Sequence, residues 1–246
     1  MSTAVAPTLP PAATAKLDAF RDALLAADAA NIACIAVYGS AARGRYDAET
    51  SDLNVALALR DASGAAVLRI AHVLHDAERE SRIETMIFAE SELAGLTASF
   101  PTKILDIQRR HVVLFGSDLF AGITVSRDDI RRRAEQELRN LALRLRRRLV
   151  AARADPNALA LAADDAASTL AVNLRALLYL RGEVSDEFQP TLAIFERAGA
   201  AFGLDTATLG AVKRVHTNDE RTMSADEFGR VIDVVSRAAD VAATLE

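Results

Sequence analysis

The chain has 246 residues, 51% of them hydrophobic, 5% aromatic and none Trp, with a formal net charge of −5. That length allows one large domain or two modest ones, with a core built mainly from Leu, Val, Ile and Ala. The acidic balance argues against a protein given over to nucleic acid, the single cysteine (Cys34) excludes an intrachain disulfide and fits a reducing compartment, and no run reaches the ~18 apolar residues of a membrane span.

In chain order, Met1 to Thr14 is rich in Ala, Pro and Thr and lacks a basic start and a long apolar centre. It reads as a flexible leader (1–14) and not as a secretion signal, so cytoplasmic residence is the default. Ala15 to Ala29 is expected to be helical, with Leu17, Phe20, Leu24 and Leu25 on one side. Ile32 to Tyr38 reads as the first strand. Gly39 to Gly44 is a turn leading into a helical start, and Arg45 to Ser51 a polar loop. Asp52 to Leu59 alternates, with Leu53, Val55, Leu57 and Leu59 on one face and Asp52, Asn54, Ala56 and Ala58 on the other. A helix over Gly64 to Glu80 and a third strand over Arg82 to Ala89 follow, then a helix from Phe100 to Arg110 and a short strand from Val112 to Phe115.

From Ser126 onward strand signals vanish. Helices are expected over Asp128–Ala154, Pro156–Arg181, Asp186–Phe202, Thr206–His216 and Ala225–Leu245. Ser126 and Ser224 each stand where a hydroxyl can cap an orphan amide, with an acid three residues on, and Pro156 suits a helix start. Gly182 and Gly203 are candidate helix ends. The sequence therefore divides near residue 122 into an α/β part and a helical part.

The informative stretch is Val37-Tyr38-Gly39-Ser40-Ala41-Ala42-Arg43-Gly44, followed by Thr50-Ser51-Asp52-Leu53-Asn54-Val55. An apolar run ends in Gly-Ser, a polar loop follows, and a second apolar run opens with Asp-x-Asn. This resembles the signature of the nucleotidyltransferase superfamily, the fold of DNA polymerase beta and kanamycin nucleotidyltransferase. Ile104 to Gly116 extends the likeness, an amphipathic helix followed by a strand ending in Leu-aromatic-Gly. The resemblance implies an α+β protein: a small mixed-sheet nucleotidyltransferase domain (15–122), then an all-helical bundle (123–246) of the accessory type. Such a bundle would pack on the first domain, cover a cleft and help to choose the acceptor.

The resemblance also implies a chemistry. Nucleotidyl transfer attacks an α-phosphate, and divalent ions offset the charge on attacking and leaving oxygens. Mg²⁺ wants oxygen ligands, and carboxylates at i and i+2 of a strand share a face. Gly39 and Ser40 then fit the phosphate turn, where a larger side chain would block approach, and Arg43 could reach a phosphate. Asp52 fits the first metal ligand and a catalytic role. Asn54 stands where the second carboxylate is usual and offers a neutral carbonyl oxygen. Glu84, on the next strand, is the candidate third carboxylate, in a register that one residue of slip would reverse. A general base is not assignable: Asp47, Glu49 and Glu84 all qualify, and an acid of the helical part would serve equally well.

Two readings stay open. In one, the chain binds a nucleoside triphosphate with Mg²⁺, held weakly or only with the triphosphate, and transfers a nucleoside monophosphate to a hydroxyl on a small molecule or protein. In the other it is a catalytically reduced member, a nucleotide-binding regulator or antitoxin-like protein-interaction module; Asn54 leans that way. Neither reading calls for a membrane or for nucleic acid, and both are compatible with an oligomer.

Other features carry less. Ser126–Ala154 holds ten arginines around an apolar stripe of Ile130, Ala134, Leu138, Leu141, Leu145, Leu149 and Ala152. A basic wall for a polyanion is one reading. A solvated face paired with Glu135, Glu137 and neighbouring acids is the favoured one, since no aromatics interleave for base stacking. His72 and His75 lack further metal ligands nearby, His111 and His216 are isolated, and Cys34 reads as a small buried hydrophobe.

Overall fold

The computed structural model describes residues 9–44, 46–48, 51–183 and 191–245, divided between two compact units, Met1–Val125 and Ser126–Glu246. The first eight residues of the expected leader, the base candidate Glu49 and the expected helix start at Asp186 lie outside the described residues. No helix among the described residues is long and apolar enough to cross a membrane.

The first unit runs α1 (Pro11–Asp28), β1 (Ile32–Tyr38), β2 (Leu53–Leu59), α2 (Gly64–Ser81), β3 (Ile83–Ala89), α3 (Leu93–Ser99), α4 (Pro101–Arg109) and β4 (His111–Gly116). α1 begins at Pro11, four residues before the expected Ala15. Pro is well placed at a first helical position, where no amide is needed, and the fully buried Ala13 ties the first turn down. The strands form one mixed sheet in the order β3-β2-β1-β4. β1 pairs antiparallel with both β2 and β4, while β2 and β3 are parallel. The parallel pair follows from the α2 crossover that joins the two strands.

One face of the sheet carries the core. Ile35, Val37, Leu53, Val55 and Leu57 pack with Leu17, Phe20 and Leu24 of α1 and Ile70 of α2, all between 0% and 4% exposed. Burying each large side chain is worth roughly 1.5–3 kcal/mol, so this layer fixes which way β2 faces. The opposite face is not open along its whole length. Ala56 and Ala58, on the same face of β2 as Asn54, are buried together with Cys34 and Ala36. The turn after β4 accounts for this: Phe120 stands edge-on to Phe88 at 6.4 Å and to His111 at 5.5 Å. Alanines let that turn approach the sheet. Burial pushes the Cys34 thiol up from its ordinary value, which keeps it an inert thiol.

The second unit consists, among the described residues, of α5 (Arg127–Ala152), α6 (Pro156–Leu180), α7 (Thr191–Phe202), α8 (Thr206–His216) and α9 (Ala225–Thr244). Ser224 and Glu227 close a reciprocal capping box, whereas the Ser126 hydroxyl accepts from the Asp129 amide. Asp155 caps α6 ahead of Pro156. The stripe of α5 is buried from Ile130 to Leu145 and only half-buried at Leu149. Several of its arginines are paired: Arg131 with Asp128, Arg132 with Asp129, Arg133 with Glu137 and Arg139 with Glu135. His216 Nδ1 lies 2.7 Å from Asp164.

Candidate functional site

The site is built where β1 ends. Tyr38 closes the strand, and Gly39 takes φ +76°, a left-handed conformation that suits glycine. Ser40 to Arg43 then make one tight turn, with the Arg43 amide on the Ser40 carbonyl at 3.2 Å and the Gly44 amide on Ala41 at 3.0 Å. Ala41 and Ala42 are buried, which seats the turn. The Arg43 guanidinium is ion-paired with Asp106 of α4, so the turn is tied to that helix. Lys103, also on α4, holds its ammonium 5.7 Å from the Tyr38 ring centroid.

The register places one row of side chains across the sheet, buried at Tyr38, half-buried at His111 and Asn54 and exposed at Glu84. His111 of β4 pairs with Tyr38 of β1, Tyr38 with Asn54 of β2, and Asn54 with Glu84 of β3. Paired residues share a face, with neighbouring strands about 4.8 Å apart. Asn54 and Glu84 are thus side by side, and Glu84 is exposed. His111 is anchored at both ring nitrogens, Nδ1 at 2.8 Å from the Ile107 carbonyl and Nε2 at 2.9 Å from Asp118. Burial pushes the Asp118 carboxyl up. Hydrogen bonds from the Phe120 amide, His111 and the Ala121 amide outweigh that and hold it below the usual carboxylate value.

Asp52 lies two residues before Asn54, at the mouth of β2. The parallel ladder continues there, since the Leu53 amide donates to the Arg82 carbonyl at 2.9 Å. Arg82 accordingly falls beside Asp52, and its Nε and Nη2 both lie 2.8 Å from Asp52 Oδ1. Arg82 is held in place by its backbone: it ends α2 at φ 55°, with its amide on the Ala77 and Glu78 carbonyls. Sequence reasoning missed Arg82, and the signal was present. Arg82 precedes Glu84 by the same two residues that separate Asp52 from Asn54, so an Asn54–Glu84 pairing brings the other two together.

Of the three residues that the resemblance offers to Mg²⁺, two are carboxylates. Asp52 already accepts from a guanidinium, Asn54 is neutral, and no three His, Cys, Asp or Glu among the described residues gather closely enough to hold a metal ion. The Asn54 side chain lies against the turn: a Cβ built on Gly39 would sit 3.2 Å from its Nδ2. Asp47 is exposed, its amide 3.2 Å from the Ser51 hydroxyl, in the loop between the two motif halves.

No protein-family model matches the chain, and no curated protein matches it. Among solved structures the chain is similar to the spectinomycin adenyltransferase AAD(9) from Enterococcus faecialis, determined with ATP and spectinomycin. The TM-score is 0.60 at 12% identity, over 92% of this chain and 98% of that one. At that identity the likeness establishes the fold.

Proposed function

Given a chain of nucleotidyltransferase fold, we propose that it binds a nucleoside triphosphate over the Gly39–Gly44 turn. The observation that carries this reading is the turn itself. A left-handed glycine follows β1, a tight turn runs to Arg43, and Asn54 lies against Gly39. Gly39 and Ser40 offer backbone and hydroxyl contacts without a blocking side chain, and Asn54 offers amide protons. The structural neighbour was determined with ATP, which fits a nucleotide as the ligand class. Calorimetric titration of the whole chain with each common nucleoside triphosphate is the test, run once in Mg²⁺ and once in chelator. Saturable binding of at least one is expected. Absence of binding in both conditions would reject a nucleotide role and leave the protein-interaction reading.

A second reading keeps transfer to a hydroxyl of a small molecule or protein, and one observation favours it. Glu84 stands in register beside Asn54, with Asp52 on the same face by the two-residue period. An Asn54→Asp change would then rebuild a carboxylate set. Without metal, three neighbouring acids repel, partly relieved by Arg82, and the melting temperature should fall by the equivalent of about 1 kcal/mol. With Mg²⁺ the variant should gain more stability than the unmodified chain does, because a full charge joins a hard-cation site. Equal shifts in chelator and in Mg²⁺ would show that position 54 faces no metal site.

A further inference from the structure

The Arg82–Asp52 pair is not part of the pattern that the sequence resembles, and it changes the electrostatics of the site. A guanidinium is a permanent cation with a planar set of donors matched to carboxylate and phosphate oxygens. Here it lies 2.8 Å from the carboxylate that the motif would offer to a metal. Three features fix it there. The β2–β3 ladder sets Asn54 against Glu84 and Leu53 against Ile83, which aligns the two residues before them. The Arg82 carbonyl receives the Leu53 amide. The Arg82 amide caps α2. The second change points the same way. Asn54 replaces an expected oxygen anion with an amide whose Nδ2 lies toward the Gly39 turn. One position lacks the usual negative charge and has N–H donors, and in the neighbouring row the guanidinium offsets the Asp52 carboxylate. Both features make the site less negative than a pair of free carboxylates would.

We infer that Arg82 serves as a built-in cation beside Asp52, so that the site takes the triphosphate on side chains without Mg²⁺. This inference rests on the nucleotide-binding reading and specifies how that site works. Asp52 then acts as a positioning residue that aims the guanidinium, while Asn54 and the turn complete the phosphate contacts. Glu84 remains the acidic edge of the row, and it would disfavour a triphosphate displaced toward β3.

The experiment compares ATP, GTP, CTP and UTP binding to the whole chain in chelator and in Mg²⁺, for the unmodified protein, Arg82→Gln and Arg82→Lys. All three residues must adopt the same left-handed backbone at position 82, so the substitutions add little new strain. Thermal melting of each variant checks folding independently. The expected result is that the unmodified chain binds its preferred triphosphate equally in both conditions, within about threefold. Arg82→Gln should weaken binding in chelator by about tenfold, the scale of one hydrogen bond to a charged group. Arg82→Lys, which keeps the charge and loses the fork, should fall between them. Binding by the unmodified chain only in Mg²⁺ would overturn the inference and leave the nucleotide reading standing. Metal-independent binding that Arg82→Gln leaves unchanged would also overturn it. Absence of binding anywhere would overturn both.

Discussion

Replacing Gly116 by alanine should destabilise the α/β unit by about 3 kcal/mol. Gly116 ends β4 at φ +81°, where an L side chain costs roughly 1–2 kcal/mol. It also pairs with Cys34 of β1, and a Cβ there would fall on the Ala33 carbonyl oxygen and close to the Ala33 carbonyl carbon. Those neighbours are backbone of the central strand and cannot rotate aside. Relief requires β4 to shift against β1, and forced shifts of that kind cost roughly 1–3 kcal/mol. β4 already carries an irregularity between its pairings to Ile35 and Ala36, so its last residues have little freedom to slide. Gly122→Ala is the matched control, because nothing lies within 4 Å of its Cβ and it does not need a left-handed backbone. It should fall within ~0.5 kcal/mol of the unmodified chain. Urea unfolding followed by tyrosine emission reads the right unit, since Tyr38 and Tyr46 lie there and only Tyr179 lies in the other. A Gly116→Ala loss below about 1 kcal/mol would mean that the β1–β4 edge is softer than its geometry implies.

Much of the fold could be read from sequence because its elements are bounded by strong local signals. β1 and β2 are apolar runs flanked by Gly39 and by the polar loop, and they fall at Ile32–Tyr38 and Leu53–Leu59. Four helices of the second unit, α5, α6, α8 and α9, begin at Ser126, Asp155, Asp205 and Ser224, each of which caps through its side chain. What failed depended on tertiary structure. α3, Leu93–Ser99, has seven residues and none of them buried, too short a stretch for the Leu93–Leu96 spacing to announce a helix. The burial of Ala56 and Ala58 was also hidden. Strand alternation tells which residues share a face, but not that a turn thirty residues beyond β3 returns to cover it.

The site shows the same division. Gly39, Ser40, Asp52 and Asn54 could be found because they are close in sequence and their spacing carries geometry. Glu84 rested on an assumed register, and the structure places it beside Asn54. The partners that decide the charge of the site, Arg82 for Asp52 and Asp106 for Arg43, come from elements 30 and 63 residues away. Only the pairing of β2 with β3 and the seating of α4 bring them in. A motif can therefore name the ligands of a cation while the fold supplies a cation of its own.

Gly39→Ala should weaken triphosphate binding by at least about tenfold and cost about 1–2 kcal/mol of stability. Two effects combine at this position. The backbone holds φ +76°, and a Cβ would approach Asn54 at 3.2 Å from Nδ2 and 3.7 Å from Cβ and Cγ. The Asn54 amide must then move by a few tenths of an ångström, away from the turn it would serve. Gly44 separates the two effects, because it shares the left-handed backbone at φ +70° yet a Cβ there would meet nothing within 4 Å. Gly44→Ala should thus show the backbone cost, about 1 kcal/mol, with affinity within about threefold of the unmodified chain. A double-mutant cycle isolates the contact further. In an Asn54→Ala background the clash at Gly39 is gone, so the extra loss from Gly39→Ala should shrink by roughly 0.5 kcal/mol or more, leaving the backbone part. Equal affinities for the Gly39 and Gly44 variants, or strict additivity in the cycle, would show that Asn54 does not meet the nucleotide through this turn. The phosphate contacts would then have to come from the Arg43 and Lys103 side of the row, where α4 approaches Tyr38.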